Sequence, residues 1–279
     1  MEKLKNIKIA FVDIDKTLSN NNREITIETS DAIKNAVNND MVVVLSTGRY
    51  SGYAEEYSKK ACASCYVIAC NGAEIFDYKK REYIFKSKIE FDDLKEIWNL
   101  CEANQIQCIL NSENVRYCNH FYNGKDEDII KINNIHEVKD KNIYQIVVIS
   151  NEFTPINEID NSIDSNSNLQ VVNSSSDYIN QKTNINNDKN KEHFFLDITN
   201  KNINKGIAID KLLNHLNIPK ENSIGFGDHN NDYELFNAVN FKIAMSNATS
   251  LLKAKADFIT LSNEENGVAH FLNNYISYE

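Results

Sequence analysis

The sequence predicts an α/β protein with a doubly wound parallel-sheet core and a smaller α+β domain inserted into it. Towards both ends of the chain, short apolar runs alternate with segments of helical spacing. Such alternation is typical of parallel strands joined by right-handed helical crossovers. From about Tyr83 the pattern changes to mixed helix-like and strand-like segments, which indicates a separate layer. We expect a core of residues 1–82 and 194–279 and an insert of residues 83–193.

The first predicted strand, residues 7–12, is apolar and rich in β-branched and aromatic side chains. It ends in Asp13, Asp15 and Thr17. Buried carboxylates are costly unless they are paired or bound to metal. Ligand sites of open α/β sheets lie at the carboxyl ends of strands. This strand end therefore predicts a reactive carboxylate with a cation beside it.

The other core elements follow from apolar periodicity and from turn residues. Residues 28–38 begin with capping residues and have helical spacing, and Asn71-Gly72 is a hairpin signal. The predicted core strands are residues 41–45, 66–70, 194–198, 223–227, 241–245 and 258–261. Residues 66–70 lead through Asn71-Gly72 into residues 73–76, and helices are predicted after the other strands. The clearest of these helices follows Lys205-Gly206 and extends through Leu216.

The insert is predicted to mix helices and strands. Its helix-like segments are residues 91–104, 126–134 and 155–163, and its strand-like segments are residues 106–110, 115–118, 143–149 and 169–172. Residues 173–191 consist almost entirely of polar side chains and predict a mobile loop.

Composition restricts the class of protein. The 279 residues are 42% hydrophobic and carry a net charge of -10, which argues against non-specific nucleic-acid binding and against an anionic membrane surface. No signal peptide and no run of membrane-spanning length is recognised. Six irregularly spaced cysteines indicate reduced thiols in a cytoplasmic protein. Cys62 and Cys65 have redox-motif spacing, but we interpret them as ordinary thiols because no second pair completes a zinc site.

Polar residues at four predicted positions should converge, because the carboxyl ends of parallel strands share one edge of the sheet. They are Asp13 with Asp15 and Thr17, Thr47 with Gly48, Lys205, and Asp228 with Asn231 and Asp232. Several aspartates around one point need a cation, and oxygen ligands favour Mg2+. The hydroxyl, ammonium and amide groups suit phosphate oxygens.

Four motifs and a tail resemble the haloacid dehalogenase-like superfamily, and within it the Cof-type phosphatases of subclass IIB. The motifs are Asp13-Ile14-Asp15-Lys16-Thr17-Leu18, Ser46-Thr47-Gly48-Arg49, Cys70-Asn71-Gly72-Ala73 and Gly227-Asp228-His229-Asn230-Asn231-Asp232. The tail includes Ala244-Met245-Ser246-Asn247-Ala248 and Glu265-Asn266-Gly267-Val268-Ala269. The resemblance implies a Rossmann-like core with a C2-type cap domain that closes over the active site and selects the substrate.

The resemblance also implies a role for each matched residue. Asp13 would be the nucleophile that forms an aspartyl-phosphate, and Asp15 the general acid and base. Mg2+ would be bound by Asp13, Asp228 and the main-chain carbonyl of Asp15. The phosphate would be held by Thr47, Gly48, Lys205 and Asn231, while Thr17 and Asp232 would support the site.

Lys16 and His229 depart from the family pattern, which has glycine or a small residue at those positions. A lysine is costly at position 16 if the backbone there needs positive φ. His229 would crowd or tune the metal loop. Neither change removes a catalytic group.

We therefore expect a cytoplasmic Mg2+-dependent phosphatase of small phosphorylated metabolites, with a monomer favoured and no nucleic-acid or membrane partner. A phosphomutase of the same superfamily and a non-catalytic binding or regulatory protein on the same scaffold are the alternatives. Retention of Asp13, Asp15, Thr47, Lys205 and Asp228 together argues against the non-catalytic alternative. The physiological substrate and the cap residues that select it do not follow from the sequence.

Overall fold

The computed structural model describes residues 2–113, 115–124, 128–163, 168–174 and 194–278. They divide into two compact units. We call residues 1–86 and 204–279 the core unit and residues 87–203 the inserted unit. Compared with the expected boundaries at 82/83 and 193/194, the first unit extends to Lys86, because the strand that ends there pairs within the core sheet. The strand predicted for the core at residues 194–198 belongs instead to the inserted unit, because Phe194–Asn200 pairs within the inserted sheet.

The core unit is built on eight strands with helices between them. Its strands are β1 (Ile9–Val12), β2 (Val42–Ser46), β3 (Tyr66–Ala69), β4 (Glu74–Asp77), β5 (Glu82–Lys86), β12 (Ser223–Gly227), β13 (Phe241–Ala244) and β14 (Phe258–Ile259). Its helices are α1 (Ile27–Asn38), α2 (Ser51–Lys60), α5 (Lys205–Leu216), α6 (Tyr233–Ala238), α7 (Ser250–Lys253) and α8 (Gly267–Tyr275).

The core sheet has the order β14-β13-β12-β1-β2-β3-β4-β5. Strands from β14 to β3 pair in parallel, whereas β4 and β5 form an antiparallel meander with β3. All four residues of β1 are fully buried, as expected for the middle of a sheet covered on both faces. This arrangement confirms the doubly wound α/β class, and β1 lies between β12 and β2.

The inserted unit is an α+β layer with its own hydrophobic core. Its strands are β6 (Gln107–Ser112), β7 (Arg116–Cys118), β8 (Ile129–Lys131), β9 (Ile143–Ser150), β10 (Leu169–Ser174) and β11 (Phe194–Asn200), in the sheet order β10-β11-β9-β6-β7-β8. Its helices are α3 (Phe91–Ala103) and α4 (Phe153–Ser162). Both helices contribute buried apolar residues to one core with the sheet, as Trp98 and Ile156 show.

The insert differs from the predicted pattern in two segments. The helix predicted over residues 126–134 is wrong, because Ile129–Lys131 is a strand that pairs in parallel with β7. The polar loop predicted over residues 173–191 overlaps the end of β10 at Asn173, and its residues 175–191 lie outside the described residues. Within the described parts of the chain, no helix is both long enough and apolar enough to cross a membrane.

Candidate active site

The candidate site lies in the core unit at the carboxyl ends of three neighbouring parallel strands. Asp13 follows β1, Thr47 follows β2, and Asp228 follows β12. The backbone N–H of Asp13 donates to the carbonyl of Phe226 at 3.2 Å, which fixes the end of β1 against β12. All three side chains are at least nine-tenths buried. The structure thus brings together residues that are more than 200 positions apart in the chain.

Lys205 is the first residue of α5, and its ammonium is buried between two carboxylates. Its Nζ donates to Asp13 Oδ1 at 2.5 Å and to Asp232 Oδ1 at 2.7 Å. Only 1% of Lys205 is exposed. Burial alone would lower the pKa of this ammonium, but Asp13 and Asp232 hold the pKa of Lys205 above its usual value. Lys205 is therefore a fixed positive charge beside the Asp13 carboxylate.

A close approach of two backbone segments sets the position of Lys205. Gly72 has φ +102°, and a Cβ placed on it would lie 2.2 Å from the carbonyl oxygen of Asn204. Only glycine fits there, because the position combines positive φ with contact to backbone. Asn204 in turn caps α5, since its side chain accepts from the N–H of Ile207 at 2.9 Å. The Asn71-Gly72 turn therefore helps to place the lysine.

Asp13, Asp228 and Asp232 form a buried acidic cluster, with one oxygen of each within 4.8 Å of the others. Burial and the neighbouring Asp232 charge raise the pKa of Asp13 well above its usual range. Burial and Asp232 likewise raise the pKa of Asp228 to about 7. Lys205 supplies one buried positive charge for three carboxylates. The cluster is thus short of positive charge, and a divalent cation fits the donor set.

Asp232 differs from the other two aspartates because both of its oxygens are already engaged. Oδ1 accepts from Lys205, and Oδ2 accepts from the backbone N–H groups of Asp228 at 3.0 Å and His229 at 3.2 Å. Asp228 Oδ1 accepts from the hydroxyl of buried Thr17 at 2.9 Å. Asp13 Oδ2 and Asp228 Oδ2 accept no hydrogen bond from the described residues. They are therefore the oxygens best available to a cation.

Asp15 lies outside this cluster and makes a different interaction. Its carboxylate accepts two hydrogen bonds from Arg49, from Nε at 3.0 Å and from Nη2 at 3.1 Å. About a third of the Asp15 side chain is exposed. The Arg49 guanidinium also lies 5.5 Å from the ring centroid of Tyr53. Arg49 lies in the Ser46-Thr47-Gly48-Arg49 motif, but no role was predicted for it.

Two of the predicted phosphate-binding residues, Gly48 and Asn231, lie against Asn71, which was not predicted as a site residue. Asn71 is buried, and its Oδ1 accepts from Asn231 Nδ2 at 3.3 Å. A Cβ placed on Gly48 would lie 3.0 Å from Asn71 Nδ2. Asn71 has φ +53°, which asparagine tolerates better than most residues. The available signal was its position in an Asn-Gly pair that follows a strand.

The departures at Lys16 and His229 have physical consequences. Lys16 does adopt positive φ, at +62°, and its carbonyl accepts from Asn247 Nδ2 at 2.9 Å. A left-handed non-glycine residue costs about 1–2 kcal/mol, so the strain expected at this position is present. Burial lowers the pKa of His229, which favours a neutral imidazole next to Asp228.

Cys62 and Cys65 contribute nothing to this site. Both thiols are free; Cys62 is exposed and Cys65 is partly buried. Burial raises the pKa of the Cys65 thiol, and the nearby Asp77 raises it further. This is opposite to the shift that makes a cysteine reactive.

Comparison with known proteins assigns the family. Residues 10–272 match the haloacid dehalogenase-like hydrolases. The chain belongs to this family. The resemblance of the motifs to haloacid dehalogenase-like phosphatases is confirmed, and so is the expected enzyme class, phosphoric monoester hydrolase.

Two relatives from Bacillus subtilis match this hydrolase along almost the whole chain. The 5-amino-6-(5-phospho-D-ribitylamino)uracil phosphatase YcsE of Bacillus subtilis is 27% identical over 271 residues, which are 97% of this chain and 96% of the relative. The Bacillus subtilis phosphatase YwpJ is 25% identical and covers 95% of this chain and 99% of its own.

Two solved structures share the fold. A haloacid dehalogenase-like hydrolase from Bacteroides thetaiotaomicron superposes with a TM-score of 0.80 at 18% identity and covers 95% of this chain and 98% of its own. The subclass IIB sugar phosphatase BT4131 superposes with a TM-score of 0.76 at 22% identity and covers 96% and 98%, respectively.

Proposed function

We propose that this hydrolase is a Mg2+-dependent phosphatase of small phosphorylated metabolites that works through an aspartyl-phosphate. The observation that carries the proposal is the placement of Asp13. Its Oδ1 is held by the Lys205 ammonium, and its Oδ2 is left available next to Asp228. A carboxylate oriented in this way beside fixed positive charge is suited to attack an anionic phosphate.

In the first proposed step, an Asp13 carboxylate oxygen attacks phosphorus in line with the ester oxygen. The bond from phosphorus to that oxygen breaks, and Asp15 transfers its proton to the departing oxygen. In the second step water attacks phosphorus and gives a proton back to the Asp15 carboxylate. The bond between Asp13 and phosphorus then breaks, and both aspartates return to their starting states. Arg49 donates one hydrogen bond to each oxygen of Asp15, and each oxygen keeps a second lone pair that can hold the transferred proton.

The phosphoryl group is proposed to bind to Thr47, Gly48, Lys205 and Asn231. Lys205 supplies positive charge at the buried end, and Asn71 holds the amide of Asn231. Donors that are fixed before the reaction cost no reorganisation when charge develops on the phosphoryl oxygens.

We propose Asp13, Asp228 and the main-chain carbonyl of Asp15 as the metal ligands. Asp232 supports the site through Lys205 and through the backbone of the Asp228 loop. When bound, Mg2+ would neutralise charge shared by the carboxylates and the phosphate. Thr17 would hold Asp228 in place through its hydroxyl.

The substrate is proposed to be a sugar phosphate or a similar phosphomonoester. Two Bacillus subtilis relatives at 27% identity are named 5-amino-6-(5-phospho-D-ribitylamino)uracil phosphatases, which makes a phosphorylated sugar-alcohol derivative a candidate. The inserted unit is proposed as the cap domain that selects the substrate. A cytoplasmic location and a monomeric state are part of the same proposal.

Hydrolysis of para-nitrophenyl phosphate with and without Mg2+ tests the proposal. We expect turnover that depends on the metal and is abolished by Asp13→Asn. Asp31→Asn makes the same substitution on the exposed face of α1 and is expected to keep full activity. Turnover without metal would contradict the metal requirement, and activity retained by Asp13→Asn would contradict the mechanism.

A further inference from the structure

The loop that carries the proposed nucleophile contains a strained lysine. Lys16 has φ +62° and ψ +10°, in the left-handed region that favours glycine. Two backbone hydrogen bonds close a turn around it. The N–H of Leu18 donates to the carbonyl of Asp13 at 3.2 Å, and the N–H of Ser19 donates to the carbonyl of Ile14 at 2.9 Å. Backbone strain that is kept at such a position points to a function for the side chain.

Hydrogen bonds on two sides hold the backbone of Lys16 next to the Asp228 loop. Thr17, the following residue, donates from its hydroxyl to Asp228 Oδ1 at 2.9 Å. On the other side, the Lys16 carbonyl accepts from Asn247 Nδ2 at 2.9 Å. Two residues further along, the N–H of Thr249 donates to the carbonyl of Asp228 at 2.9 Å. Position 16 is thus fixed beside the acidic cluster, and all of these residues belong to the core unit.

The Lys16 ammonium acts on the cluster through its charge. The side chain is exposed, and none of the hydrogen bonds or ion pairs among the described residues involves this ammonium. Burial and Asp232 raise the pKa of Asp228 to about 7, and the positive charge of Lys16 counteracts part of that rise. Burial lowers the pKa of His229, and Lys16 lowers it further. The charge of Lys16 is therefore felt at both residues of the metal loop.

A positive charge at this position has opposite effects on the metal-free and the metal-bound site. Without a metal, Lys16 offsets part of the negative charge of the carboxylates. With Mg2+ bound, the same ammonium repels the ion. We propose that Lys16 lowers the affinity of the site formed by Asp13 and Asp228 for Mg2+. The assignment rests on the proposed metal site, and it gives a function to a lysine that replaces the glycine of the family pattern.

Calorimetric titration of the full-length protein with MgCl2, without substrate, tests the assignment. Lys16→Gln removes the charge and keeps a side chain of similar length on the same left-handed backbone. At about 10 mM ionic strength we expect its Kd for Mg2+ to be about fourfold lower than that of the native protein, as for a unit charge separated from a divalent ion by about 8 Å of water. At about 0.5 M salt the difference should shrink to less than about twofold, because screening removes the repulsion.

Two further variants separate the charge at position 16 from other effects. Lys16→Arg keeps the charge and the backbone strain, and it should bind Mg2+ with native affinity. Arg23→Gln is the matched control, because Arg23 is also exposed and has φ +62°. Its carbonyl accepts from the hydroxyl of Tyr57 on α2 at 2.6 Å. Arg23→Gln should keep the native affinity, and a gain equal to that of Lys16→Gln would assign the effect to net charge and contradict the proposal.

The remaining outcomes distinguish this assignment from the proposed function. Native affinity in Lys16→Gln at low salt, or a gain in affinity that persists at high salt, would show that the assignment is wrong while the phosphatase proposal stands. If the predicted affinities are found but the native protein does not hydrolyse para-nitrophenyl phosphate, the phosphatase proposal fails and the role of Lys16 stands. If neither the native protein nor Lys16→Gln binds Mg2+, the proposed metal site and this assignment fail together.

Discussion

Replacement of Lys205 by methionine tests the electrostatic account of the site. The substitution keeps an apolar stem of similar length and removes the ammonium between Asp13 and Asp232. Three buried carboxylates then lack their internal counter-charge. Removing one partner of a buried ion pair costs about 3–5 kcal/mol. Since about 1 kcal/mol shifts the midpoint of a domain of this size by about 2–4 °C, we expect the thermal midpoint in EDTA to fall by about 6–20 °C at pH 8.

The loss should depend on pH in a defined direction. The pKa values of Asp13 and Asp228 are already raised in the native protein. Without the ammonium they rise further, so at pH 5.5 protonation removes part of the repulsion and the loss becomes smaller. Scanning calorimetry at both pH values measures this difference. Lys34→Met on the exposed face of α1 is the control, with an expected change within about 0.5 kcal/mol. A loss that is below about 1 kcal/mol or independent of pH would refute the reasoning.

Three further predictions follow from the same cluster and its loop. In EDTA, the free energy of unfolding should fall as pH rises through about 7, because Asp228 keeps a proton in the folded state that it has already lost in the unfolded state. The stabilisation by Mg2+ measured in thermal scans should grow over the same pH range. A metal effect that does not depend on pH would contradict this prediction. Thr17→Val should weaken Mg2+ binding about 10–100-fold in calorimetric titrations, because Asp228 loses the hydroxyl that holds it; unchanged affinity would exclude that role. Lys16→Gly should raise the thermal midpoint, because it relieves about 1–2 kcal/mol of strain from the left-handed backbone at this position. A lowered midpoint would contradict this and show that interactions of the lysine outweigh the backbone strain.

Much of the fold was predictable because the core strands are apolar runs that end in polar residues. β1 and β12 are fully buried, so their apolar sequences directly indicate strands in the middle of the sheet. Convergence of Asp13, Thr47 and Asp228 followed from one rule about parallel sheets. Lys205 was different, since a single lysine at a helix start has no distinctive pattern and was selected through the family resemblance.

The features that could not be predicted depend on contacts between segments that are distant in the sequence. Pairing of Arg49 with Asp15 joins the loops after β2 and β1, and no local pattern encodes their separation. The same holds for Asn71, which meets Asn231 from a turn 160 positions away. The wrong helix at residues 126–134 arose because Ile129–Lys131 is a three-residue strand, too short to show a period of two. Its parallel pairing with β7 decides its structure.

Detection of the phosphorylated enzyme tests the central claim most directly. The native protein is mixed with para-nitrophenyl phosphate and Mg2+, quenched in acid within milliseconds and digested for mass spectrometry. We predict one phosphoryl group on the peptide that contains Asp13, absent from Asp13→Asn and unchanged in Asp31→Asn. Rapid hydrolysis of the ester without any phosphorylated Asp13 peptide, or with the phosphoryl group on another residue, would contradict the account.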